Sequence, residues 1–270
     1  MSIIIATFYH FVELINYHVL KNEIKMICDC MNLKGTILLA AEGINGTISG
    51  RRHEIDKVFD FLHSYPQLAN LTWQESQATD HTFSKMKVRL KKEIVTLGMS
   101  DLNISLKGQH IDAESWDDFI HSAKVILIDT RNCYEVALGK FKNAINPNIL
   151  NFRAFPQWCN SCTIHKDLTI AMYCTGGIRC EKSTAYMLTL GFKNVFYLKG
   201  GIISYLKNTH NKYGNWTGEC FVFDDRIAID HSLNPSNKIR CTICSNVVSS
   251  NEMKSVTRAK AICFNCKSST

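Results

Sequence analysis

An apolar run from Thr169 to Tyr173 ends in Cys174. Thr175, Gly176, Gly177, Ile178 and Arg179 follow, before helix-forming residues begin near Cys180. A thiol at a strand end, next to a glycine-rich turn and a helix N-terminus, lies where backbone N–H groups and the helix dipole stabilise an anion. Gly176 and Gly177 let the turn aim its N–H groups inward, and Arg179 adds fixed positive charge. Such surroundings predict a depressed Cys174 pKa and a nucleophilic thiolate. A lone cysteine beside a turn is more often a buried structural residue; the Gly-Gly pair and Arg179 are what mark residues 174–179 as an active-site loop.

Two further sets of residues carry chemistry. Cys241-x2-Cys244 and Cys263-x2-Cys266 are separated by 18 residues, the spacing of paired knuckles that hold tetrahedral Zn²⁺. Four thiolates leave no open coordination position, so this zinc is expected to be structural. Lys85, Lys87, Arg89 and Lys91 alternate with Met86, Val88 and Leu90, and Lys92 follows. Period-2 alternation reads as a strand with one basic and one apolar face. A second basic group lies in the tail: Lys238, Arg240, Lys254, Arg258, Lys260 and Lys267. Two basic surfaces suit a polyanion, although solvated lysines are the plainer alternative. Of the remaining cysteines, Cys159-x2-Cys162 reads as a chance pair, and Cys28, Cys30 and Cys133 as core fillers. Cys180 either resolves an oxidised Cys174 or fills space at the helix start.

The composition limits what this chemistry can serve. The 270 residues are 46% hydrophobic with only 4 prolines, enough for two domains, or one domain and an appendage, without long disordered tracts. Met1 to Ala6 lack the basic and long apolar regions of a signal peptide. No run approaches the ~18–20 apolar residues of a membrane span. A soluble, cytoplasmic protein is expected, in which 12 cysteines serve as metal ligands or nucleophiles rather than disulfides.

The elements that must position these groups fall into three regions. Residues 1–98 read as strand (Ile3–Tyr9), helix (Leu14–Met31), strands Thr36–Ala41 and Thr47–Ser49 around a turn-rich connector at Glu42–Gly46, helix (Glu54–Ser64), and strands Leu71–Gln74 and Lys85–Leu97. This is the ferredoxin-like, split βαβ pattern. Residues 99–111 read as a linker. In 112–215, short apolar strands at Val125–Asp129, Thr169–Tyr173 and Val195–Leu198 alternate with helices at Ala113–Ser122, at Ser183–Leu190 and after Lys199-Gly200-Gly201. That predicts a parallel α/β sheet covered on both faces. Sites in such sheets lie at the carboxyl ends of strands, where Asp129 and Cys174 both fall. Residues 216–270 carry little hydrophobic periodicity and need a metal as staple.

Asp129-Thr130-Arg131, the Cys174–Arg179 loop and Gly200-Gly201 together resemble a rhodanese domain. With the flanking Lys87–Gly98, Cys174–Lys182 and Gly218–Asp224 stretches, about 90% of the chain resembles the rhodanese-containing tRNA uridine(34) hydroxylase family. The resemblance implies a bacterial, cytosolic enzyme that forms 5-hydroxyuridine at the wobble position, with molecular oxygen as co-substrate and an electron donor it does not identify. Cys174 takes the position of the essential cysteine, and Arg179 would orient or stabilise the anionic intermediate. The basic strand (Lys85, Lys87, Arg89, Lys91, Lys92) would hold the tRNA anticodon arm, with a zinc-ribbon-like tail touching its backbone; neither membrane nor DNA is an expected partner. Cys174 either adds to C6 of uracil, carries a persulfide or is itself oxidised. A six-residue loop is the sulfurtransferase length and one short of the related phosphatases, so a sulfurtransferase carrying a persulfide on Cys174 is the alternative. A binding protein with a vestigial rhodanese domain is disfavoured by the intact Cys174 and Arg179.

Overall fold

The computed structural model describes residues 2–99, 101–122, 124–209, 214–244, 246–256 and 261–266. The first region forms β1 (Ile3–Phe11), α1 (Tyr17–Cys30), β2 (Lys34–Ala40), β3 (Gly43–Gly50), α2 (Arg52–His63), β4 (Trp73–Ala78) and β5 (Met86–Leu90). Its sheet runs β4-β1-β3-β2-β5. The first four strands are antiparallel to their neighbours, and β5 adds in parallel beside β2. Alternation divides the faces. Ile4, Ala6 and Phe8, with Ile37, Leu39, Ile44 and Ile48, pack against Leu20, Ile24 and Cys28 of α1 and Ile55, Val58, Phe59 and Leu62 of α2. Cys28 is therefore core, as expected, whereas Cys30 is exposed and Cys133 only half-buried, so neither fills the core as expected. The opposite face carries Thr7, Tyr9, Thr36, Asn45 and Thr47 and is not covered by helices of its own.

Two local expectations are corrected. Gly43–Gly46 is not a connector but the first half of β3. The turn is only Ala41-Glu42. Here the glycines serve close packing rather than a turn: a Cβ at Gly46 would lie 2.7 Å from the Phe8 ring. The last strand stops at Leu90 rather than Leu97, because side chains take over the backbone. Ile94 N–H donates to Glu42, and Leu97 and Gly98 N–H donate to Glu93.

The central region holds β6 (Gln109–Ile111), α3 (Ala113–His121), β7 (Val125–Asp129), α4 (Cys133–Val136), β8 (Gly139–Phe141), α5 (Phe155–Ser161), β9 (Thr169–Tyr173), α6 (Ile178–Thr189), β10 (Asn194–Leu198) and α7 (Gly201–Thr209). The sheet order is β6-β10-β9-β7, all parallel. Trp116 of α3 and Ile202 and Tyr205 of α7 cover one face. Phe155 and Cys159 of α5 and Tyr186 and Met187 of α6 cover the other. Residues 109–111, within the stretch read as linker, supply an edge strand. Helix α6 begins at Ile178, not Ser183, because Gly177 turns the chain at φ +95° and caps it.

The tail begins with β11 (Trp216–Gly218), which pairs with β8, and the β12 (Cys220–Phe221)–β13 (Ala228–Ile229) pair. Two short hairpins follow: β14 (Lys238–Arg240) with β15 (Val247–Ser249), and β16 (Met253–Val256) with β17 (Ala261–Cys263). Their only buried cluster is Cys241, Met253, Ala261 and Cys263 among the described residues, too little apolar surface to stand without a crosslink.

Candidate active site

Strands β7 and β9 end in register, Asp129 opposite Tyr173, so Thr130 and Cys174 emerge side by side. Gly177 N–H reaches the Cys174 sulfur at 3.1 Å. The loop is braced from behind: Ile202 N–H donates to Cys174 O at 3.0 Å and Ile203 N–H to Thr175 O at 3.1 Å. A Cβ at Gly201, itself at φ +64°, would sit 2.4 Å from Cys174 O; the Gly-Gly after β10 is what lets α7 approach so closely. Burial alone would push the Cys174 thiol up. The Cys180 thiol, the Arg179 charge and the N–H groups of Cys180 and Arg179 outweigh it and bring the pKa down to about 6. Cys180 moves the other way: burial and the adjacent Cys174 push it well above the ordinary value, so it stays a thiol that donates to Cys174.

Arg179 is held differently from its sequence-based role. Its guanidinium makes a bidentate pair with Glu135, Nη1–Oε2 at 2.6 Å and Nη2–Oε1 at 2.7 Å. Glu135 is fully buried and also accepts from Asn132 N–H at 3.1 Å and Thr175 Oγ1 at 3.4 Å. Arg179 therefore acts on the sulfur chiefly through its field, with Nη1 and Nη2 engaged by Glu135 and Thr175. Arg131 is equally buried and binds Asp129 through Nε at 2.9 Å and Nη2 at 2.7 Å; Nη2 also donates to Gly139 O at 2.6 Å, which ties the end of β7 to β8.

The first turns of α6 dock the N-terminal sheet over the loop. Tyr9 Oη donates to Glu181 at 3.0 Å, and Lys107 Nζ to the same carboxylate at 2.7 Å. Lys182, buried, reaches Glu42 at 2.8 Å and Glu93 at 2.7 Å. The result is a cavity of about 700 Å³ between the cysteine loop and the uncovered sheet face. Thr7, Tyr9, Thr36, Asn45 and Thr47 form its roof, Cys174 to Arg179 its floor, and Phe83, Phe152 and Phe223 stand around it. Phe223 is exposed and lies against Arg179, 5.8 Å from guanidinium carbon to ring centroid.

The predicted basic strand borders this cavity. Lys87 and Arg89 pair in register with Thr36 and Leu38 and so share the cavity-side face, while Met86 and Val88 are buried beneath. Lys91 lines the cavity itself, joined by Arg153. Lys85 and Lys92 are exposed. In the tail, Lys238 bonds Ser249 and Arg240 lies over Phe221; Arg258, Lys260 and Lys267 lie outside the described residues.

Cys241, Cys244, Cys263 and Cys266 converge with all four sulfurs within 4.8 Å of one another. Three of the separations are 3.7 Å. A tetrahedron with Zn–S bonds of ~2.3 Å has edges of about 3.8 Å, so the donor set fits zinc.

Residues 3–94 match the family described as the UPF0176 acylphosphatase like domain, and residues 112–208 match the Rhodanese-like domain. A protein of Wolbachia pipientis subsp. Culex pipiens (strain wPip) named tRNA uridine(34) hydroxylase is 65% identical, covering 99% of this chain and 95% of that protein. Proteins of the same name from Anaplasma marginale (strain Florida) and Ehrlichia chaffeensis (strain ATCC CRL-10679 / Arkansas) are 47% and 48% identical, each covering 99% of this chain, and 97% and 98% of themselves. The chain belongs to the tRNA uridine(34) hydroxylase family.

For a member of this family, the structure joins what the motifs left separate. The Cys174 loop, the basic strand and the Gly218–Asp224 stretch meet at one cavity, whereas the four-cysteine cluster is a separate unit. Sequence reading missed Glu135, Glu181, Lys182, Asn45 and Phe223. Glu181-Lys182 follows the cysteine loop after Cys180, and paired charges inside a helix that packs in a core were the available signal. Cys159 is buried and Cys162 donates to its carbonyl, a structural arrangement. Among the described residues no helix is long and apolar enough to cross a membrane.

Proposed function

We propose that this protein hydroxylates C5 of the wobble uridine of tRNA, in the cytoplasm, with Cys174 as nucleophile and molecular oxygen as co-substrate. The observation that carries the reading is the cavity: a thiol lowered to about 6 forms the floor of a nucleotide-sized space whose rim is a basic strand. The thiolate adds to C6 of uracil, which makes C5 nucleophilic. One oxygen atom enters at C5 and the other leaves as water. An external donor supplies two electrons, and loss of the C5 proton with release of the thiolate restores the ring. Arg179 keeps Cys174 ionised at neutral pH, and the loop residues Thr175, Gly176, Gly177 and Ile178 hold the anion-binding turn.

Residues 1–98 and the rhodanese domain at 112–215 clasp the anticodon arm, with Lys85, Lys87, Arg89, Lys91 and Lys92 on phosphates. A base inside a stacked loop cannot reach Cys174, so the uridine must be splayed out; Phe83 and Phe223 offer stacking surfaces. Zn²⁺ at Cys241, Cys244, Cys263 and Cys266 staples the tail, 216–270, with no open position for catalysis.

The test is nucleoside mass spectrometry of tRNA from cells lacking the protein. Loss of 5-hydroxyuridine derivatives, restored by the wild type but not by Cys174→Ala, is expected. Unchanged 5-hydroxyuridine in cells without a second pathway would refute the reading, and Cys174-dependent sulfur transfer from thiosulfate would then favour persulfide chemistry.

A further inference from the structure

We propose that Asn45 reads the hydrogen-bonding edge of the target base and makes the site prefer uracil over cytosine. The inference rests on the tRNA reading above.

Asn45 sits in β3 opposite Tyr9 and Leu38, on the sheet face that roofs the cavity above Cys174. Its amide is not free to turn. Nδ2 donates to Ile94 O at 2.9 Å. That backbone is itself pinned, since Ile94 N–H donates to Glu42 at 2.6 Å and Glu42 accepts from the buried Lys182. Oδ1 has no hydrogen-bond partner among the described residues, and Asn45 is half-buried at the cavity wall. A fixed, unused acceptor in a cavity is a recognition element, because a donor that enters gains a hydrogen bond and an acceptor that enters is left unpaired.

Uracil presents N3–H, a donor; cytosine presents N3, an acceptor. Oδ1 therefore matches uracil. An unconstrained asparagine could reverse its amide and serve cytosine equally well. Here reversal would turn Oδ1 onto Ile94 O, two acceptors facing each other, with no compensating donor. Two residues along the same face, the Thr7 and Thr47 hydroxyls lie 3.1 Å apart. One donates to the other, which leaves the second hydroxyl hydrogen for a uracil carbonyl oxygen. The roof thus offers one acceptor and one donor, the complement of an N3–H beside a carbonyl.

The experiment compares binding of anticodon stem-loops carrying U34 or C34 to wild type, Asn45→Ala and Asn45→Asp, at fixed salt. Wild type should prefer U34 by roughly 10-fold or more. Asn45→Ala should lose that preference by weakening U34 binding alone. Asn45→Asp loses the Ile94 anchor and sets a carboxylate oxygen against Ile94 O, so it should weaken U34 binding too. If the variants fold poorly, a stem-loop with 3-methyluridine at position 34, which has no N3–H, tests the same contact on the wild type and should bind no better than C34. Equal weakening for both stem-loops in Asn45→Ala, or 3-methyluridine bound as tightly as U34 by the wild type, would assign Asn45 a merely structural role. A wild type that restores 5-hydroxyuridine in cells but binds both stem-loops alike overturns the inference and leaves the function standing. A wild type that does neither removes the function as well.

Discussion

Replacing Glu135 with glutamine should damage stability far more than an isosteric change on a surface would. Both Glu135 oxygens face the Arg179 guanidinium, at 2.6 and 2.7 Å, and both side chains are buried. Arg179 stays charged in the variant, because a guanidinium keeps its proton at any working pH even without its carboxylate partner. Its charge is then left buried without a counterion, which costs roughly 3–5 kcal/mol. The amide keeps one oxygen, so one of the two donors, Thr175 Oγ1 or Asn132 N–H, loses its acceptor as well. Urea unfolding measures the loss. A second variant separates stability from chemistry. Glu135→Leu with Arg179→Met replaces the pair by apolar groups and should regain most of the stability. The same variant removes the charge that lowers Cys174, so the thiol should titrate well above about 6. Quantifying alkylation of the Cys174 peptide by iodoacetamide across pH reads that titration. A Glu135→Gln protein within about 1 kcal/mol of wild type would refute the buried-pair reasoning. A double variant whose Cys174 still titrates near 6 would refute the role given to Arg179.

Cys174 should also tie stability to pH. Its folded pKa of about 6 lies below the unfolded value of ~8.5. The ionised thiol therefore stabilises the fold fully above ~8.5, by on the order of 1 kcal/mol at pH 7, and the effect disappears as pH falls through 6; subtracting the unfolding free energy of Cys174→Ser at each pH isolates it. Lys182→Met should leave Glu42 and Glu93 without their shared cation and loosen the seating of the N-terminal sheet on α6. The expected signature is earlier protease cleavage near residues 99–108, with at least 10-fold lower tRNA affinity from the misaligned roof. Neutralising Lys87, Arg89 and Lys91 together should reduce the salt slope of tRNA binding by about one for each phosphate no longer neutralised, seen by titration at several salt concentrations. Metal analysis should find one zinc per chain, and Cys244→Ser should abolish it while Cys174 chemistry persists.

How much could be read from the chain depended on the range of the interaction. The Cys174 loop, the apolar strands of the parallel sheet and the two cysteine knuckles are local patterns, and each is present as spacing implied. Gly43–Gly46 misled because glycine marks turns in most contexts; here Gly46 lets β3 pack against Phe8, a requirement set by a strand 38 residues earlier. Glu135 lies 44 residues from Arg179, and Lys182 lies 140 from Glu42. No local periodicity encodes such pairings. Asn45 stood inside a stretch that reads as a turn, and its significance depends on Ile94 holding its amide. The uncovered face of the N-terminal sheet was the one global clue: a β-face of threonines and an asparagine with no helix to cover it needs either solvent or a partner layer.

In the proposed reaction Cys174 directs an oxygen atom from O₂ onto C5 of the wobble uridine. Cells that depend on this protein for the modification can be grown under ¹⁸O₂ and their tRNA digested to anticodon-loop fragments for mass spectrometry. Heavy oxygen is expected in the fragment containing uridine 34 with the wild type, and an unmodified fragment with Cys174→Ala. A hydroxyl group that carries oxygen from water, or modification that persists in Cys174→Ala, would contradict that reaction.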